Sequence, residues 1–196
     1  MQTNKRVLTT KTMAYCALLA ALSVVLARLV IPMPAADTRF SIEAVPIFLA
    51  GMLFGPLPGA LVGFGADFIG CLFSPYGYNP LFCLPPILYG LIPGLLRGFL
   101  SNKISPVRLF LGFLGPVVLG SILYQSMTLS YMYFDGGLMA GFLYYLTTRS
   151  IQFAITLVLD VLVVYLLCRA NIFQRAGVWP VKKERKSFEY ECNGSH

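Results

Sequence analysis

The stretch MAYCALLAALSVVLARLVI, residues 13–31, decides the fold. Its only charge is Arg28. A helix rises about 1.5 Å per residue, so a run of this length reaches about 28 Å, close to the roughly 30 Å of bilayer hydrocarbon. Five further apolar runs follow: about Ile42 to Phe54, Leu57 to Phe73, Leu81 to Leu100, Val107 to Ser130 and Phe142 to Arg169. The second is short and carries Glu43 and Pro46, and the fourth is interrupted by Pro85, Pro86 and Pro93. Across all 196 residues, 57% are hydrophobic and only 12% are charged, with a mean hydropathy of +0.73. A soluble domain carries about twice that charged fraction. The expected fold class is therefore all-α, an integral membrane bundle of six helices over residues 1–171. Residues 172–196 form a polar cytoplasmic tail.

Charge sets the orientation. With the N-terminus in the cytoplasm, twelve of the fifteen Lys and Arg fall on that side, from Lys5, Arg6 and Lys11 through Arg97, Lys103 and Arg108 to Arg169 and the tail. Six crossings return the basic C-terminus to the same side, as cytoplasmic flanks require. The net charge of +7 then belongs to membrane flanks facing anionic headgroups, and nucleic acid is not an expected partner. The first run is too long, and lacks a clear small-residue cleavage site, to read as a signal peptide.

Metal and nucleophile chemistry find little support. The five cysteines, Cys16, Cys71, Cys83, Cys168 and Cys192, form no CxxC, and the only histidine is His196. There is no phosphate-binding lysine loop, no GxSxG and no HExxH, so neither a metal nor a bound cofactor is expected.

The residues that invite a ligand sit toward the outer side. Arg28, Arg39 and Arg149 are the three arginines off the positive side. Arg28 either snorkels to headgroups or, with Arg39, offers guanidinium forks to carboxylates. Asp67, in the outer half of the third span, is an expensive charge in hydrocarbon. It either pairs with Arg28 or Arg39, or accepts two parallel N–H bonds from a heterocycle. Gly63, Gly65 and Gly70 leave room around it for a flat group. In the following loop Tyr76 and Tyr78 can stack on a ring and Asn79 can bond its edge, although aromatic residues there also suit an interfacial belt. Gln125 and Ser126 on the fifth span face the opening of the sixth, where Arg149 and Gln152 lie. Glu43 can pair with Arg39. Asp160 reads as deeper and structural. An enzyme using Asp67 and Asp160 as a carboxylate pair is the rival from another class, disfavoured by their different spans and depths.

Two features point to packing. Ala14, Ala17 and Ala21 line one face of the first span, a small-residue strip suited either to internal packing or to a partner helix. Gly51, Gly55, Gly59 and Gly63 recur every four residues, with Pro56 and Pro58 between them, which implies close packing of spans two and three about their turn.

Together these stretches resemble the substrate-binding S components of energy-coupling factor (ECF) vitamin transporters. The resemblance runs from about Thr12 to Arg169. It is carried by Ala17-x-x-x-Ala21, by the run from Arg39-Phe40-Ser41 through Pro46-Ile47-x-Leu49-Ala50-Gly51-Met52-Leu53-Phe54-Gly55-Pro56, by Gly59-x-x-x-Gly63-x-x-Ala66-Asp67-x-x-Gly70, and by Pro75-x-Gly77-x-x-Pro80. The run looks most like the folate type. The resemblance implies a vitamin-binding protein of the bacterial plasma membrane without enzymatic activity. Its implied partners are a transmembrane coupling subunit and two cytoplasmic ATPases, which hydrolyse ATP and drive toppling of the bundle. It makes Ala14, Ala17 and Ala21 the coupling face. Arg28, Arg39, Asp67, Tyr76, Tyr78, Asn79, Gln125 and Gln152 become the ligand set. Leu81 to Pro86 departs from the folate branch, and Glu43 stands where a small or apolar residue is expected, so a related heterocyclic vitamin is the alternative substrate.

Overall fold

The computed structural model describes residues 10–28, 31–32, 39–40, 42–73, 80–102, 105–133 and 138–170. Helix α1, Thr10–Arg28, is apolar on every side and buries only Leu19 and Ser23. A helix apolar all round is either enclosed by protein or surrounded by lipid, and the outward Leu18 and Val25 place α1 in the second class. Two residues, Ile31–Pro32, then pair antiparallel with Arg39–Phe40, Pro32 opposite Arg39. This is the sole departure from helix among the described elements.

Helix α2, Ala44–Phe54, is the centre of the molecule, with nine of its eleven residues buried. At about 1.5 Å per residue it is too short to cross hydrocarbon by itself. It ends at Gly55, whose φ of 108° lies where only glycine is at ease, and its N–H closes on the Gly51 carbonyl at 2.9 Å. Pro56 then opens α3, Pro56–Leu72, at the position where a missing N–H costs nothing. A methyl added at Gly55 would lie 3.9 Å from Arg97 Nη1, an ordinary contact, so only backbone strain opposes it. Gly55→Ala is therefore expected to cost about 1–2 kcal/mol and to lower Tm in detergent by about 2–8 °C, measured by thermal unfolding.

A short 3-10 turn, Pro80–Cys83, leads into α4, Leu84–Leu95. The glycines explain how α2, α3 and α4 meet. A Cβ at Gly51 or Gly59 would collide with the Gly90 carbonyl, one at Gly90 with Gly59 backbone, one at Gly63 with Pro86 backbone, and one at Gly94 with Pro56 backbone. Close packing of the second and third spans is therefore present, and α4 is a third partner in the same contact. The fourth span is not continuous: α4 stops at Leu96 and a separate helix α5, Arg97–Asn102, follows.

The fifth span starts as α6, Pro106–Pro116, widens to π turns over Val117–Tyr124 and resumes as α7, Gln125–Tyr133. Pro116 has no N–H to give to the preceding turn and its ring crowds that turn's carbonyl, which accounts for widening just beyond it. Helix α8, Leu138–Arg169, has 32 residues and begins earlier than hydropathy suggests. The core joins α2 to α6 and α8: the rings of Phe48 and Phe113 stack with centroids 3.7 Å apart, and Leu109 and Val164 close around them.

Three helical stretches, Thr10–Arg28, Pro106–Met132 and Leu138–Arg169, are long and apolar enough to cross a membrane; Ala44–Phe54, Pro56–Leu72 and Pro80–Leu95 are shorter apolar helices. Leu72, Leu95, Met139 and Ile151 are all more than two-thirds exposed, a surface suited to lipid rather than water.

Candidate functional site

Polar side chains gather at one end of the bundle, where α1, α3 and α7 finish and α2, α4 and α8 begin. This is the end that the charge distribution assigns to the outside. Arg28, at the last turn of α1, donates from Nη2 to the Gly70 carbonyl at 3.0 Å and so ties α1 to α3. Ser23, one turn earlier, donates to the Glu43 carbonyl at 2.7 Å and ties α1 to the start of α2. Across the α7–α8 hairpin, Ser130 donates to the Leu138 carbonyl at 2.7 Å.

Asp67 is half-buried on α3. Its carboxylate is hydrogen-bonded by the Cys83 thiol from the 3-10 turn, while Oδ2 has no partner among the described residues. Asp67 and Arg28 thus hold different partners, which leaves one open acceptor on Asp67 and a guanidinium anchored one turn away. Of the three glycines expected to give Asp67 room, Gly63 is filled by Pro86 backbone, whereas a Cβ on Gly65 or Gly70 would meet nothing within 4 Å.

The other expected ligand residues divide by where they fall. Gln125 begins α7 half-buried, directly after the π turns. Gln152 is half-buried on α8, one turn after Arg149, whose guanidinium lies 5.9 Å from the centre of the Phe153 ring. The backbone places Arg39 opposite Pro32; its side chain, and all of Tyr76, Tyr78 and Asn79, lie outside the described residues.

Two features were under-read from sequence. Asp160 is 1% exposed on α8, with neither carboxylate oxygen bonded to a described residue. The Tyr89 hydroxyl of α4 and Ser121 Oγ of the π turns, both buried, lie 3.1 Å apart. A tyrosine beside Gly90 in an apolar run carries no sequence signal, whereas an acid in the sixth span does, and it was read as structural. Among the described residues no group of three or more His, Cys, Asp or Glu could hold a metal ion.

On α1, Ala14, Ala17 and Ala21 are all exposed, opposite the face that buries Leu19 and Ser23. The strip is therefore not part of the bundle's internal packing.

This arrangement can be set beside known proteins. The profile of a family described as ECF-type riboflavin transporter, S component, matches residues 7–169. The chain belongs to this S-component family. It is thus a membrane transport component rather than an enzyme. A curated relative, the folate transporter FolT of Clostridium novyi (strain NT), is 31% identical over 100 residues, half of this chain. The chain spans 56% of that relative's length. A crystal structure of FolT bound with folic acid superposes with a TM-score of 0.66 at 31% identity, covering 81% of this chain and 94% of that one. The S component for biotin from an ECF-type ABC transporter, at 19% identity and a TM-score of 0.58 over 86% of this chain and 95% of its own, shares the fold.

Proposed function

We propose that this S component captures folate, or a related pterin-containing vitamin, outside a bacterial plasma membrane. It would cross that membrane six times with both termini in the cytoplasm. Delivery follows when a transmembrane coupling subunit and two cytoplasmic ATPases, which hydrolyse ATP, drive the bundle to topple. The observation that carries the vitamin choice is the likeness to folate-bound FolT over nearly the whole of that structure. The chemistry agrees. A folate carries tail carboxylates suited to Arg28 and Arg39, a flat ring suited to Tyr76 and Tyr78, and ring-edge groups suited to Asp67, Asn79, Gln125 and Gln152. The second reading is riboflavin, favoured by the description of the matching family.

The purified chain is expected to bind folic acid without ATP and without metal, read by titration calorimetry. Asp67→Asn leaves the Cys83 side of the group in place but weakens the open acceptor, so folate affinity should fall about tenfold. Tight riboflavin binding with no folate binding would replace this reading with the second.

A further inference from the structure

Asp160 is unused by the proposed function as stated. An ionised carboxylate needs donors and a protonated one needs an acceptor. Among the described residues, neither Oδ1 nor Oδ2 of Asp160 has any hydrogen-bond partner, so the surrounding protein satisfies neither form. An acid left so inside a membrane bundle is costly, and such acids mark ligand or ion sites. Its neighbourhood has a definite chemistry. Glu43, at the start of α2, and Tyr89, on α4, lie within its electrostatic reach, and the Tyr89 hydroxyl meets Ser121 from the π turns. Four elements thus bring two carboxyl groups and two hydroxyls together, with no cation among them. A ligand edge facing this wall must be rich in N–H donors. Asp67 is less suited to a paired role, because Cys83 already occupies part of its carboxylate.

We infer that Asp160 is the specificity-determining carboxylate of the site, taking a heterocycle edge that offers two adjacent N–H donors. The 2-amino, N3–H edge of a pterin offers such a pair. The pyrimidine edge of an isoalloxazine offers one N–H between two carbonyl oxygens, and those oxygens would face a carboxylate without a proton to share. The inference rests on the pterin reading above and deepens it: it names the group that separates folate from riboflavin within a family whose description names riboflavin.

The test compares the full-length wild type with Asp160→Asn and Asp160→Leu in detergent. It measures folic acid affinity, riboflavin affinity and Tm with and without ligand. Asp160→Asn keeps the shape but replaces one acceptor oxygen with a donor. Its folate affinity should fall about 100-fold or more, its preference for folate over riboflavin should shrink, and the Tm gain from folate should vanish. Ligand-free Tm should hold or rise in both variants, because an unpartnered buried acid has been removed. Folate affinity of Asp160→Asn within about threefold of wild type overturns the inference alone. So does a fall in ligand-free Tm in both variants, which assigns Asp160 to structure. A wild-type chain that binds no folate overturns the proposed function, and this inference with it.

Discussion

Gly90→Leu is expected to eliminate the folded protein. A Cβ at residue 90 would land on the Gly59 carbonyl, and what it meets is backbone, which cannot swing aside as a side-chain tip can. Gly59 is packed in turn against Gly51 and Gly90, so the strain spreads to α2, the most buried helix of the bundle. In lipid, helix association depends on close van der Waals approach rather than on expulsion of water, so separating three backbones removes much of what holds the bundle together. The loss should exceed about 4 kcal/mol, the range in which single changes unfold a marginal protein. Size-exclusion chromatography of detergent extracts should show aggregate in place of a monodisperse peak. The matched control is Gly65→Leu on α3, where an added Cβ meets nothing within 4 Å; it should extract and elute like the parent. Equal behaviour of the two variants would contradict the three-helix contact.

The second large effect is on assembly. Ala17→Trp puts a bulky indole on the exposed alanine face of α1, away from Leu19 and Ser23. If that face meets a coupling subunit through small residues, helix axes that approach closely would be forced apart and capture of the subunit should weaken about 100-fold or more. Folate affinity of the isolated chain should stay within about twofold, since the substituted position points away from the bundle. Pull-down from membranes holding the coupling subunit and ATPases, with binding measured on the same preparation, separates the two readouts. Loss of ligand affinity together with assembly would show that the face belongs to the bundle's own packing.

Much of the fold was legible because a bilayer imposes a single strong rule: apolar runs of sufficient length become helices. The ends of α3 fall where Gly55-Pro56 and the run of apolar residues to Leu72 put them. The packing partners were less legible. The four-residue glycine spacing signals close approach but does not name the partner, and Gly90 and Gly94 on α4 belong to the same contact. The break at Leu96 and the π turns after Pro116 depend on how freed backbone groups are satisfied in three dimensions, which hydropathy does not record. In the site, Arg28 and Asp67 stand out in sequence as charges in apolar runs, yet their tie to Gly70 and Cys83 is a tertiary fact. Asp160 was equally visible. Its depth along the helix suggested structure, and only the absence of a described partner for either oxygen distinguishes a structural acid from one awaiting donors.

The most direct test of the central claim is to identify what the protein carries out of the cell. The chain is expressed with folate and riboflavin both supplied, purified in detergent without nucleotide, and denatured to release bound small molecules for absorbance and mass measurement. A pterin released in near one-to-one ratio with protein is the predicted result. A flavin in its place would contradict the account.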